Sequence, residues 1–386
     1  MGSIPITRSI CSLSLAALCL FAGGCAVLPP PTPNRPSQAI ADVGTTTLAR
    51  MSDAARQRAS AAPEHSGFRP LPEGEFALDA RLALARHAER SLDVQYYLIQ
   101  NDPVGRRLLR ELRDAAQRGV RVRLLIDDLY AAGEDELLAG LAAHPNAEVR
   151  VFNPLPVRSG SFMTRLAFSL HEFDRINRRM HNKLFIADNS FAVSGGRNIA
   201  AEYFMRSNEA NFIDLDMLSA GPVVREFSSA FDSYWNSEQV WALEQRLHAL
   251  ERAVKPAERR ADFDLRLKEF AGTPPNVPPL DYLRQSNVRE QIAQGRLQLL
   301  GGSARVHADP PDKVLQPADP NKASPPMRAK LDVIAAAREE VVIVNPYFLP
   351  GPVGLRMMGE AQKRGTRVLI VTNSLGSTDE LSLIHI

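Results

Sequence analysis

Residues 96–123, YYLIQNDPVGRRLLRELRDAAQRGVRVR, recur in shortened form at 346–368, PYFLPGPVGLRMMGEAQKRGTRV. Each copy runs from an apolar strand end through Pro-Val-Gly into a helical stretch, and leaves it through Arg-Gly-x-Arg-Val. A strand that returns to a strand through a helix is a crossover unit, and two strands joined that way lie parallel in one sheet. Its repetition predicts two tandem domains built on one plan. In the first copy, helical patterns at 81–90, 105–118 and 134–143 alternate with strand patterns at 92–99, 120–126 and 149–152. This predicts an α/β fold, a mixed sheet sandwiched by helices. A longer helix is expected over 222–253, with Trp235 and Trp241 near its close.

The chemistry concentrates in HNKLFIADNSFAVSGGRN, residues 181–198. In an extended strand residues two apart share a face, so His181 and Lys183 address one point in space. Neutral imidazole can attack phosphorus, and an ammonium beside it can stabilise charge on the non-bridging oxygens. The pair suits phosphoryl transfer without a metal or other cofactor. Asp188, Asn189 and Ser190 read as a turn between two apolar runs, making the stretch a hairpin. For Asp188 alone, shaping that turn is a reading of equal weight to a role in the site. Gly195 and Gly196 let backbone approach a ligand closely, and Asn198 offers an amide donor there. Chance places the HxKxxxxD spacing in a chain of this composition roughly 0.01 times.

At these residues the chain resembles the phospholipase D superfamily, whose signature is HxKxxxxD followed by GGxN or GSxN. SLDVQYYLI (91–99), AAQRGVRVRLLIDD (115–128), RINRRMHNKLFIAD (175–188) and GGRNIAAEYF (195–204) are similar to its bacterial cardiolipin synthase branch, particularly a lipoprotein-like subgroup. The resemblance implies phosphatidyl transfer through a phosphohistidine, with a second motif's histidine protonating the leaving alcohol. It makes His181 the nucleophile, Lys183 and Asn198 phosphate ligands, and Asp188 a supporting acid. The implied substrates are phospholipids: phosphatidylglycerol, phosphatidylethanolamine or cardiolipin. Hydrolysis by a phospholipase D or nuclease is the alternative outcome at such a site, and an inactive envelope-binding fragment is another.

Only one such motif is present, and the internal repeat suggests why. Gly119 precedes His181 as Gly365 would precede a position near 427, which the 386 residues do not reach. The closing LSLIHI can be encoded by a transposase mosaic-end adapter read in frame, so a truncated second domain is expected. The organisation then reads as a signal peptide at 1–24, a lipidated Cys25 with a Pro-rich tether through 66, and a phospholipase D-like domain at 67–253. A connection follows at 254–326, the start of a second domain at 327–380, and an adapter-derived tail at 381–386.

The amino end supplies the address. An apolar stretch over 10–22 has signal-peptide length, too short for a comfortable membrane span. Ala-Gly-Gly-Cys ending at Cys25 resembles a bacterial lipoprotein cleavage site, with a plain secretory signal as the other reading. The three cysteines, 11, 19 and 25, all lie in this leader, so the mature chain forms no internal disulfide. A lipid on Cys25 would hold the protein at a membrane surface in the cell envelope, facing the periplasm, and Ala26 favours the outer membrane. With 45% hydrophobic and 23% charged residues the chain is globular, and a net charge of +2 gives no basic surplus for nucleic-acid binding.

Several further residues carry two readings. Asp214 and Asp216 alternate on one strand face, so either can orient His181 through its far ring nitrogen or pair with an arginine such as Arg197. Asp127 and Asp128 close a buried strand as caps or as site residues. Arg178 and Arg179 lie in a basic run that is either a solvated loop or an anion-attracting rim. Phe162, Met163, Leu166 and Phe168 form either a core helix or a lipid-facing lip.

Overall fold

The computed structural model describes residues 33–60, 62–131, 134–157, 164–165, 172–247, 255–269, 277–316 and 323–374. The leader with Cys25, the 158–163 and 166–171 stretches that hold Phe162 and Phe168, and the 381–386 tail lie outside them. Two compact units emerge. One runs through Val306 and includes Pro310–Gln316, and the other comprises His307–Asp309 with the residues from Pro317 onward.

The larger unit is built on a nine-stranded sheet in the order β8-β4-β3-β2-β5-β6-β7-β1-β9. Its strands are β1 (Ser66–Leu71), β2 (Ser91–Tyr96), β3 (Arg121–Asp127), β4 (Ala147–Phe152), β5 (Leu184–Ala187), β6 (Phe191–Gly195), β7 (Asp216–Ala220), β8 (Val240–Ala242) and β9 (Leu300–Gly302). β2, β3 and β4 are parallel and every other pairing is antiparallel, so the sheet is mixed as the β/α alternation predicts. Helices α1 (Thr47–Arg58), α2 (Gly74–His87), α3 (Pro103–Gln117) and α4 (Asp135–Ala142) contribute to the core on one face, through Leu48, Leu78, Leu82, Leu108, Leu112 and Leu138. On the other face α5 (Pro222–Trp235) packs Val223, Phe231 and Trp235 against Phe152 and Ile186. Burying such side chains contributes about 1.5–3 kcal/mol each, which fixes both faces of the sheet.

The helix expected over 222–253 stops at Trp235, with Asn236 as its cap. The chain then turns and Val240–Ala242 adds to the outer edge of β4, where Trp241 faces Val151 across the ladder. An otherwise open edge is thereby paired.

Residues 33–46 bear on the tether. They do not stand off the domain but lie on it. Asn34 is hydrogen-bonded to both Val240 and Ala242, the Arg123 and Arg150 guanidiniums donate to the carbonyls of Ser37 and Arg35, and Trp235 Nε1 donates to Ser37 Oγ. Arg123 and Arg150 are buried among β-strands, and arm carbonyls supply acceptors that burial otherwise denies them. Much of the expected connection also belongs to the first unit. Helix α6 (Pro256–Glu269) seats Phe263 where Gly140 of α4 leaves room: a Cβ there would fall 2.6 Å from the ring.

The smaller unit reproduces the repeat seen in the sequence. Helix α7 (Pro325–Ala336), β10 (Glu340–Val344), α8 (Gly351–Lys363) and β11 (Arg367–Val371) follow the order of α2, β2, α3 and β3, and β10 pairs parallel with β11. Both crossover helices end on a left-handed glycine, Gly119 at φ 94° and Gly365 at φ 88°. The next amides, Val120 and Thr366, bond back to Ala115 and Ala361 respectively. That geometry explains why Arg-Gly survives in both copies. Val342, Val344, Leu369 and Val371 are exposed in this two-stranded sheet.

Candidate active site

The carboxyl ends of β2, β3, β4 and β6 and the amino ends of β5 and β7 lie along one edge of the large sheet. His181, Lys183, Gly195, Gly196, Asn198, Asp214 and Asp216 all stand at that edge. Residues 181–183 precede β5 and are irregular, since β2 offers no partner beyond Leu184. The expected common face is nevertheless achieved. Lys183 Nζ lies 3.2 Å from His181 Nε2 and donates to the His181 carbonyl at 3.0 Å. An ammonium only donates, so Nε2 is the unprotonated ring nitrogen in this arrangement and the proton resides on Nδ1.

Burial, then the Lys183 and Lys313 ammoniums, push the His181 pKa down to about 4. The residue is open to solvent at the mouth, but all three influences act in one direction. Lys183 is buried, and that burial lowers its pKa to about 8 against the attraction of Asp214, Asp216 and Asp127. At neutral pH the site therefore holds an uncharged imidazole beside a charged amine. Tyr97, the first residue after β2, completes the wall, with its ring centroid 5.1 Å from that of His181 and 5.6 Å from Lys183 Nζ. Tyr130 meets it edge-on at 5.2 Å. Nothing in the motif spacing signals Tyr97 or Lys313, because both arrive through long-range folding.

The glycine pair makes room for the protein's own carboxylates. A Cβ on Gly195 would lie 2.1 Å from Asp216 Oδ1, and one on Gly196 would lie 2.1 Å from Asp214 Oδ1. Asp216 is fully buried, with Oδ2 2.9 Å from Arg81 Nη2 and 3.6 Å from Arg197 Nη1, while Oδ1 accepts from the Arg197 amide at 3.4 Å. Two guanidiniums thus claim it, and it takes the arginine-pairing role. Asp214 is half-buried and its pKa is raised, first by burial. Neither carboxylate is hydrogen-bonded to His181 among the described contacts. Asn198 is buried and donates to Tyr203 Oη at 3.1 Å. Its loop is docked beside Tyr97 by reciprocal backbone bonds, from Gln100 to Ile199 and from Ile199 to Leu98.

Asp188 stands elsewhere. Its own amide bonds to Ser91 at the amino end of β2, while His181 lies beyond the other end of β5, and the six residues between them span up to roughly 20 Å at strand rise. The carboxylate accepts the backbone N–H groups of Glu89, Arg90 and Ser91. Asp188 and Asn189 both have positive φ, 47° and 44°, the turn conformation those residue types tolerate. The basic run is also spoken for: Arg179 pairs with buried Asp127, and Arg178 donates to the Lys313 carbonyl. Asp128 caps Leu155.

An imidazole and an ammonium held at the carboxyl ends of parallel strands, beside an amide-bearing glycine loop, form a site suited to a phosphodiester. The chain belongs to the phospholipase D superfamily. A family model described as cardiolipin synthase, phospholipase D-like domain, matches residues 82–235. Cardiolipin synthase C of Escherichia coli is 35% identical over 341 residues, covering 88% of this chain and 69% of that protein. An uncharacterized protein of Helicobacter pylori is 32% identical over 327 residues, 83% of this chain and 61% of its own length. Among solved structures, phosphatidylserine synthase of Haemophilus influenzae is 14% identical with a TM-score of 0.49, covering 83% of this chain and 66% of that one. The chain thus spans 69% of the length of the Escherichia coli relative and 61% of the Helicobacter pylori one.

Proposed function

We propose that the complete protein is a phosphatidyltransferase of cardiolipin synthase type, working through a phosphohistidine on His181. The observation that carries this reading is the exposed, neutral imidazole 3.2 Å from the Lys183 ammonium. His181 Nε2 attacks phosphorus, the bond to the first alcohol breaks, and a second phospholipid alcohol then displaces the imidazole. Lys183 and Asn198 hold the non-bridging oxygens as charge grows on them. The proton for the leaving alcohol comes from a second motif's histidine, as the family resemblance implies. Phosphatidylglycerol is the proposed donor, and Cys25 the proposed lipid attachment that keeps the site at a membrane surface. Among the described residues no helix is long and apolar enough to cross a membrane.

The pH dependence follows from the two shifted groups. His181 must be unprotonated and Lys183 protonated, so kcat/KM for the complete gene product on phosphatidylglycerol vesicles should rise through about pH 4 and fall through about pH 8. Mass spectrometry of the products decides the acceptor: cardiolipin with glycerol release supports transfer, whereas phosphatidic acid assigns the site to hydrolysis. An acid limb near the ordinary histidine value would contradict the lowered His181 pKa, whereas the absence of any acid limb would contradict the neutral-nucleophile reading.

A further inference from the structure

The segment that delivers His181 is not part of the sheet. Residues 177–183 carry no strand or helix, and the ladder resumes only at Leu184. Side chains from the strand ends hold this segment instead. Asn153, just past β4 and at φ 49°, donates from Nδ2 to the carbonyls of Arg175 and Arg178. Asp127, the last residue of β3 and fully buried, accepts the Met180 amide on Oδ2 at 2.9 Å. Its Oδ1 accepts from Arg179 Nε at 2.8 Å, with Arg179 Nη2 at 2.5 Å, and from the Leu129 amide at 3.0 Å. Met180 is itself buried, and Gln95 reaches its sulfur. One carboxylate thus grips the side chain two residues before the imidazole and the backbone one residue before it.

Building on the proposed role of His181, we infer that Asp127 is the positioning residue of this site, fixing through Arg179 and Met180 where the imidazole is presented. A peptide held at Met180 on one side and by the β5 ladder on the other has few ways to place the residue between. Neutralising the carboxylate releases the Arg179 guanidinium and weakens the hold on the Met180 amide, letting His181 sample positions away from Lys183. Asp127 does not touch the reacting atoms, so substrate affinity should be largely kept.

The test compares Asp127→Asn with Asp128→Asn in the complete gene product. Asp128 is an equally buried neighbour whose carboxylate accepts the Leu155 amide. Asp127→Asn should lower kcat by about 100-fold, as for a misplacement near 1 Å, with little change in KM. Its alkaline limb should also move below the parent's, because a carboxylate that supports the Lys183 charge is gone. Asp128→Asn should leave kcat and that limb in place even if the melting temperature falls. Should Asp127→Asn fail to fold, Arg179→Lys keeps the charge but loses the two-pronged grip, and a several-fold fall in kcat is expected. Unchanged kcat in the Asp127 variant, or equal losses in the Asp127 and Asp128 variants, overturns the inference. Retained activity in His181→Ala would instead overturn the functional reading on which it rests.

Discussion

In a bacterial strain lacking its cardiolipin synthases, the complete gene should restore cardiolipin, and its His181→Ala form should restore none. The expected loss is roughly 10⁴-fold or more, the scale seen when a covalent nucleophile is removed. Three features make His181 the critical group. It is the ring held against Lys183 at 3.2 Å, it is open to solvent, and its pKa is lowered to about 4, so the imidazole is uncharged at neutral pH. Lys183→Met should cost less, because the imidazole would keep its reactivity while losing the charge that steadies the transition state. Oxyanion-type donors of this kind contribute roughly 10²- to 10³-fold. Lipid extracts read by mass spectrometry with isotope-labelled glycerol separate the outcomes. Cardiolipin in the His181→Ala strain at parental levels would remove the residue from the chemistry.

How much of this is readable in the sequence depends on the range of each interaction. The crossover repeat is legible because its signals are local: Pro-Val-Gly opens a helix, and an Arg-Gly pair closes it on a left-handed glycine, in both copies. The His181–Lys183 relation is legible for the same reason, although these residues lie outside the strand that the spacing suggests. Charged side chains whose partners are distant in sequence are not. Asp216 can be assigned to either a histidine or an arginine until folding brings Arg81 within 2.9 Å from a helix 135 residues away. Arg179 looks like surface charge because Asp127, its partner, lies 52 residues earlier. The glycine pair reads as clearance for a ligand, while the atoms in closest approach are Asp214 and Asp216 oxygens. The docking of residues 33–46 has no local signature at all, since a proline-rich stretch looks the same whether it spans solvent or lies along buried arginines.

Asp188→Ala should destabilise the protein strongly while sparing the chemistry of whatever remains folded. The carboxylate is buried and gathers three successive backbone donors, from Glu89, Arg90 and Ser91, where helix α2 gives way to β2. Removing it leaves the buried Ser91 N–H without its partner at about 1–3 kcal/mol, while the Glu89 and Arg90 N–H groups belong to exposed residues and lose less, so a total near ~3 kcal/mol is expected. Alanine at φ 47° adds strain, because a Cβ without a polar partner disfavours the left-handed region. For a domain of this size that corresponds to a fall in melting temperature of roughly 10 °C. Asp188→Asn keeps one acceptor oxygen and tolerates the turn, so its fall should be smaller. A supporting acid would behave oppositely, with a melting temperature near the parent's and kcat reduced by orders of magnitude. Thermal unfolding and single-turnover rates on the two variants, measured well below the parent's transition, distinguish these cases, because the ladder from β2 to β5 joins Asp188 to His181 mechanically while strand length keeps its charge from the reacting phosphorus.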